Sequence, residues 1–333
     1  MDWENFNQEL KFYSDLRNSV EKTDILIVIG YSFPFFNRKI DKFILDSMDN
    51  LKKIYVQDPE NANDIIEKIE SLPPLPNSVI ELENFRRRPD KEPLDLLKII
   101  EQDPLIITTL LRVANSAMFG FRSEVETPSR AVNLLGINFT ISIALGSVVQ
   151  DLIKSNLSAY NISTDDFLMS SNLASTIVNS WVGDIDFALK EELLLPAFLQ
   201  ETGKFIISEL IQEQNKVDEF KKALNSEKSL SEIEESFTGF SCSRITANIF
   251  KHWKLSHNLI FTIGFVGNIE QCPEEYKRKV KILEVIKILT DIRDPLGDKN
   301  VSDAINLANN YGLDIEALVT AIDKIKIKLE PKE

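Results

Sequence analysis

Three neighbouring segments decide the fold: LPPLPNSVIELENF (residues 72–85), IIEQDPLIITTLLRVANSAMFGF (99–121) and TPSRAVNLLGINFTISIALGSVVQDL (127–152). Each combines apolar residues at helical spacing with residues that begin or end a helix. Asp103–Pro104 and Thr127–Pro128 pair a capping side chain with a proline that suits the first helical turn. Gly136 is placed to end a helix. The stretch therefore predicts several short helices with defined ends.

Composition narrows the class of protein. The chain has 333 residues, of which 43% are hydrophobic and 27% charged, so it can bury a core. Its 52 acidic and 38 basic residues give a net charge of -14, which argues against a nucleic-acid surface because such surfaces need clustered positive charge. The only two cysteines, Cys242 and Cys272, form no Cys-x-x-Cys pair, so neither a disulfide framework nor a thiolate zinc site is indicated. With no apolar run of membrane-spanning length, we expect a cytoplasmic protein without membrane insertion.

Three short blocks carry a family resemblance: Leu75–Pro76, Asp103–Pro104 followed by Arg112–Val–Ala–Asn–Ser116, and Leu134–Leu–Gly136. They resemble the HDOD family of bacterial regulatory domains, relatives of the HD metal-dependent phosphohydrolases. The resemblance implies a compact all-α domain that acts in signalling by binding other proteins. Within the middle block, we interpret Asn115 as a turn residue, and Arg112 as the residue best suited to contact an anionic ligand or a partner carboxylate. Asn115 is a second candidate for such a contact.

The C-terminal part is where a catalytic HD domain would carry metal ligands, since imidazole and carboxylate groups hold divalent ions. Apolar spacing predicts a helix that begins at Thr164–Asp165 and a long helix from Leu193 to Ile211. The resemblance implies that the HD ligand positions fall at Ser171, at the pair Gln200–Glu201 and at Cys242. No histidine stands at any of them, so we predict neither a metal nor a catalytic site and interpret these positions as buried helix packing.

The N-terminal segment, residues 1–63, has a different pattern. Two apolar runs, Ile25–Gly30 and Lys53–Gln57, flank a helical stripe, which predicts a βαβ unit. Ile29–Asn37 is similar to the closing part of bacterial sirtuin-like NAD-binding domains, in which Gly30 and Ser32 would match a loop that touches ribose. The segment lacks that family's opening glycine-rich loop and catalytic histidine. We therefore interpret it as a remnant attached to the helical body.

Taken together, the sequence predicts a mostly α protein with a βαβ appendage (1–63) and an HDOD-like helical domain (64–329), divided into halves at 64–155 and 156–329. The predicted function is a non-catalytic regulatory module that needs no cofactor and binds other signalling proteins through an apolar helical groove. Two alternatives stay open. One is a sensor that binds NAD or a cyclic dinucleotide in the vacated HD pocket or at the Gly30 loop. The other is a residual metal-dependent phosphohydrolase.

Overall fold

The computed structural model describes residues 14–23, 25–29, 43–44, 46–50, 52–57, 62–121, 123–153 and 156–329. The chain divides into two compact units, Met1–Asn63 and Asp64–Glu333. In the first unit, strand β1 (Ile25–Ile29) pairs in parallel with strand β2 (Lys53–Gln57). The helix predicted between them lies mostly outside the described residues, so the complete βαβ unit remains a prediction.

The described part of the second unit consists of helices and turns, as the sequence predicts. Its first helices, up to the middle of the chain, are α1 (Ala62–Glu70), α2 (Asn77–Arg86), α3 (Pro93–Ile100), α4 (Pro104–Ala114), α5 (Pro128–Leu135) and α6 (Ile137–Ile153). Two predicted caps are confirmed: the Asp103 side chain accepts a hydrogen bond from the Leu105 amide, and the Thr127 side chain accepts one from the Arg130 amide. Gly136 ends α5 with a φ of 83°, a value that glycine adopts without strain.

The second half is also built from helices joined by turns. After a 3-10 turn at Ser158–Tyr160, its helices are α7 (Thr164–Ile177), which runs into a π-helical turn at Val178–Val182, α8 (Phe187–Leu199), α9 (Lys204–Glu213), α10 (Val217–Leu224), α11 (Leu230–Thr238), α12 (Cys242–His252), α13 (His257–Gly264), α14 (Glu274–Leu289), α15 (Asp298–Asn310) and α16 (Ile315–Leu329). No helix in the described part of the chain is both long and apolar enough to cross a membrane.

The single long helix predicted from Leu193 to Ile211 is wrong, because the chain breaks between α8 and α9. The Thr202 hydroxyl donates to the Leu199 carbonyl at 2.7 Å and so replaces a backbone helix bond. Gly203 lies so close to the start of α12 that a Cβ there would be 2.6 Å from the Cys242 carbonyl oxygen. An apolar stripe reports neither contact, because the first is made by a polar side chain and the second involves another helix.

The core joins the two halves through α6, which is buried along nearly its whole length and packs against α4 and α8. Gly146 of α6 packs directly against the ring of Phe198 on α8. A Cβ at Gly146 would be 1.9 Å from the Phe198 Cε1 atom, so only glycine allows this approach. The break after α8 is therefore held in place from both sides, by α6 and by α12.

A long-range contact fixes the proline corner that precedes α2. The Trp253 indole, at the end of α12, donates to the Pro73 carbonyl at 2.8 Å. The neighbouring His252 ring nitrogen lies 3.4 Å from the Leu72 carbonyl. Because this corner contains no regular backbone pairing, its carbonyl groups are available to side chains from elsewhere. We refer to this contact between Leu72–Pro73 and His252–Trp253 as the corner clasp.

Candidate functional site

The break between α8 and α9 brings together three of the residues predicted from the HD resemblance. Ser171, Gln200 and Glu201 line one cavity, although Ser171 lies on α7 and the other two lie in the break. The remaining lining residues are Phe167, Ser170, Ala174, Ala197, Phe198 and Thr290. The space has room for roughly one water molecule. The fold therefore brings these three residues together, and it adds Thr290 to them.

Cys242, the fourth predicted position, lies beside this cavity. It is fully buried at the start of α12, and its Sγ is 3.7 Å from the Glu201 carbonyl oxygen. Thr246, one turn further along α12, accepts a hydrogen bond from the Gly203 amide at 2.8 Å and has its hydroxyl 3.1 Å from the Gln200 carbonyl. These contacts satisfy the backbone groups that the break would otherwise leave unpaired.

Two acidic and two basic side chains form a row of ion pairs next to the cavity, in the order Glu234, Lys204, Glu201 and Lys287. The Lys204 ammonium contacts Glu201 and lies 2.5 Å from the Glu234 Oε1 atom. The Lys287 ammonium lies 2.8 Å from the Glu201 Oε1 atom. Two carboxylates thus face two ammonium groups, so the formal charges cancel. We call these four residues the buried ion network.

The Tyr160 hydroxyl supports the network from the 3-10 turn. It donates to Glu234 Oε1 at 2.9 Å, and the Lys204 ammonium lies 5.4 Å from the centre of its ring. Lys204 and Glu234 are both inaccessible to solvent, with 0% relative exposure. Removing charged groups from water is costly, so the network can persist only because each charge has an opposite partner within contact distance.

The electrostatic effects agree with this arrangement. Burial alone would raise the pKa of Glu201, but the Lys204 and Lys287 charges outweigh burial and hold that pKa well below its ordinary value. Burial would lower the pKa of Lys204, yet Glu201 and Glu234 raise it well above its ordinary value. Burial, reinforced by the Glu201 charge, raises the pKa of the Cys242 thiol to about 12. At neutral pH the thiol is therefore protonated, which removes it as a nucleophile.

The cavity residues do not fit a divalent metal ion of the HD type. Ser171 and Thr290 offer hydroxyl groups, Gln200 offers an amide, and none of these is an imidazole or carboxylate. The carboxylate of Glu201 is already paired with Lys204 and Lys287. Both polar atoms of the Gln200 amide are buried without a hydrogen-bond partner in the protein. A buried amide of that kind suits a small neutral hydrogen-bonding guest such as water.

Arg112 and Asn115, the predicted contact residues on α4, have partners within the chain. The Asn115 amide nitrogen donates to the Val125 carbonyl at 3.0 Å, and its oxygen accepts from the Val125 amide at 2.8 Å. Asn115 therefore closes the loop between α4 and α5. Arg112 forms an exposed ion pair with Asp165 at the start of α7. Their contact with a partner remains a prediction.

Gly30 and Ser32, the weak candidates for a nucleotide loop, lie outside the described residues. The sequence analysis also missed four members of the central arrangement: Tyr160, Lys204, Glu234 and Lys287. Lys204 had a usable signal, because it follows Gln200–Glu201 at fixed spacing in the block that resembles an HD motif. The other three lie on separate elements and give no local pattern.

The chain is similar to known proteins at the level of family and of fold. The profile of the HDOD domain family matches residues 72–269. An uncharacterized protein of Treponema pallidum (strain Nichols) is 26% identical over 230 residues. That match covers 68% of this chain but only 43% of the Treponema protein, so the chain spans less than half of its relative.

Two solved structures show the same fold at lower identity. A protein of Shewanella amazonensis SB2B, provisionally named a phosphohydrolase, is 20% identical with a TM-score of 0.57, over 79% of this chain and 94% of that one. A protein of Marinobacter aquaeolei VT8, provisionally named a signal transduction protein, is 17% identical with a TM-score of 0.60, over 81% of this chain and 62% of that one. At these identities the likeness concerns the fold alone.

Proposed function

The chain belongs to the HDOD family, and from that premise we propose that it is a non-catalytic bacterial regulatory module that acts by binding other signalling proteins. One observation supports the non-catalytic part: the positions that the HD resemblance assigns to metal ligands hold Ser171, Gln200 and a Glu201 whose carboxylate is paired with two lysines. A metal-activated water needs an open coordination position, and Lys204 and Lys287 fill the space around this carboxylate.

We further propose that residues 64–329 form the HDOD-like domain and residues 1–63 a remnant appendage. The sirtuin-like interpretation of the appendage remains a prediction. A nucleotide sensor that used the cavity would need far more space, since small-molecule pockets measure roughly 300–1,000 Å³. The cavity would have to open by a large rearrangement around Phe167 and Phe198 to accept such a ligand.

The exposed surface of α3 and α5 supports a protein-binding role. Leu94 is 71% exposed on α3 and Leu134 is 44% exposed on α5. The Lys91 ammonium, just before α3, donates to Asn138 at the start of α6, so the beginning of α3 lies near the end of α5. The two helices contact each other, and Leu94 at the beginning of α3 and Leu134 at the end of α5 therefore lie at the same end of the pair.

Basic residues border this apolar pair. Lys98 is exposed one turn after Leu94, and Arg130 is exposed one turn before Leu134. Residues four apart share one face of a helix, so each helix presents a leucine and a basic group to the same side. We call these four residues the α3–α5 face. An apolar anchor with a charged border is a common design for binding a partner helix.

The test has an enzymatic and a binding part. The purified 333-residue chain is assayed for phosphodiester hydrolysis with Mg²⁺, Mn²⁺ or Fe²⁺ added, and we expect no turnover. Turnover that is lost in a Gln200→Ala variant would contradict the proposal.

The binding part uses in-cell crosslinking in the source organism and compares wild type with Leu94→Asp/Leu134→Asp. We expect at least one crosslinked protein to disappear in this variant. The matched control is Phe187→Asp, which adds one charge at another apolar residue that is 68% exposed. Identical crosslinked proteins in all three would rule out the α3–α5 face.

A further inference from the structure

Three potential metal ligands converge beside the cavity, and one of them, Glu234, is at none of the positions that the HD resemblance assigns. A carboxylate oxygen of Glu201, one of Glu234 and the Cys242 Sγ all lie within 4.8 Å of one another. They come from the α8–α9 break, from α11 and from the start of α12, so the packing of three elements sets their geometry. Glu234 and Cys242 are both fully buried, with 0% relative exposure.

A positively charged group of the chain itself already lies between these carboxylates. The Lys204 ammonium contacts both carboxylates, Glu201 and Glu234. It is tethered to the first residue of α9, so it cannot diffuse away as a free ion does. A divalent ion in the same place would stand next to a fixed positive charge, and in a buried site that repulsion is weakly screened.

A second observation indicates that the site has unused capacity for a ligand. The Glu234 Oε2 atom is buried and has no hydrogen-bond partner in the protein, although the other oxygen accepts from Tyr160 and pairs with Lys204. An unpaired buried carboxylate oxygen is costly, and a compact ammonium group with three donors does not remove that cost here. A metal ion bound by both oxygens of Glu234 would remove that cost.

We propose that Glu201, Glu234 and Cys242 form a latent site for a thiophilic divalent cation such as Zn²⁺, which the Lys204 side chain keeps closed. Oxygen and sulfur ligands together suit Zn²⁺ and Co²⁺ better than Mg²⁺ or Ca²⁺. The formal charges agree with this choice. Without Lys204, two carboxylates face only the Lys287 ammonium, which leaves a net charge of minus one. Loss of the Cys242 proton to the buffer would make it minus two, which a divalent ion cancels.

The inference goes beyond the proposed function and can fail separately, because it concerns metal binding by a variant and not hydrolysis or partner binding by the wild type. The test titrates Co²⁺ into the Lys204→Ala and Lys204→Met variants of the 333-residue chain, since a Co²⁺–thiolate bond absorbs light in the near ultraviolet. We expect one equivalent of Co²⁺ to give this absorption in Lys204→Ala and none to give it in wild type. Adding Cys242→Ser to the variant should abolish it.

The matched control is Lys68→Met. Lys68 also joins two carboxylates, those of Glu209 at 2.9 Å and Glu213 at 2.6 Å, but these acids are 38% and 58% exposed. Removing that lysine should create no Co²⁺–thiolate absorption. Absorption in wild type, or its absence in folded Lys204→Ala and Lys204→Met, would overturn the inference.

Loss of Lys204 could also unfold the chain, and that outcome decides the question equally well. In that event the helical circular dichroism signal is recorded during refolding with Zn²⁺ and with a chelator. Recovery that requires Zn²⁺ and is lost in Lys204→Ala/Cys242→Ser supports the latent site. Failure to refold in the presence of Zn²⁺ contradicts it.

Discussion

The buried ion network predicts strong coupling between Lys204 and Glu234. Replacing Lys204 with Met removes the ammonium that joins Glu201 and Glu234 and leaves an excess negative charge inside the protein. Replacing Glu234 with Gln leaves an excess positive charge. Removing one partner of a buried pair costs about 3–5 kcal/mol, because the other charge loses both water and its partner. We expect each single variant to lose stability in this range.

The double variant Lys204→Met/Glu234→Gln restores neutrality, since Glu201 and Lys287 still pair at 2.8 Å. We therefore expect the double variant to be about as stable as either single variant, which gives a coupling energy of about 3–5 kcal/mol. A coupling energy of that size changes the folding equilibrium constant by more than a hundredfold. The Tyr160 hydroxyl can still donate to the amide oxygen that the Glu234→Gln substitution introduces, so this hydrogen bond is kept.

Urea unfolding followed by circular dichroism measures all four proteins, with free-energy differences taken from the midpoints. The pair Lys68 and Glu209 provides the control cycle, because Glu209 is 38% exposed and its charge is screened by water, so the two should couple by less than about 1 kcal/mol. Should either single variant be unfolded while the double variant is folded, the coupling is established qualitatively. Additivity within about 0.5 kcal/mol would refute the argument that the network is held together by charge balance.

Three further predictions test separate features. Because the pKa of Glu201 is lowered from 4.5 to about 2 in the folded state, the ionised carboxylate stabilises the fold above pH 4.5, and this contribution is lost as the pH falls toward about 2. The Glu201→Gln variant should therefore show a flatter dependence of the unfolding free energy on pH across that interval, measured by urea unfolding. Asn115→Ala should cost about 1–3 kcal/mol in thermal unfolding, whereas Arg112→Ala, whose ion pair is exposed, should cost less than about 1 kcal/mol. Gly146→Ala gains about 1 kcal/mol of helix propensity but should still destabilise by overpacking, and adding Phe198→Leu should partly restore the melting temperature.

Local rules predicted several of the helix ends. Asp103 and Thr127 act as caps and Gly136 ends α5, because capping depends on side chains within a few residues of the helix terminus. The long helix predicted from Leu193 to Ile211 failed for the opposite reason. Its break at Gly203 depends on the close approach of the Cys242 carbonyl, which lies on another helix and leaves no trace in apolar periodicity.

The candidate site shows the same division. Ser171, Gln200 and Glu201 could be placed from family spacing, and the structure brings all three to one cavity. Glu234 and Lys287 could not be found, since a charged residue on an amphipathic helix normally faces water and only the fold shows that these two face inward. The resemblance could therefore point to residues that the fold brings together, but not to the balanced set of charges beside them.

The corner clasp has a consequence for how the chain folds. Trp253 and Pro73 are 180 positions apart, and Arg86 also donates to Ser256 across 170 positions. Such contacts close long loops, so they form late and slow the search for the native topology. During synthesis from the ribosome, the proline corner cannot reach its final geometry until α12 has been made. The contacts of the corner clasp therefore need both residues 64–155 and residues 156–329, so the proline corner takes its final bonds only after the second part has been synthesised.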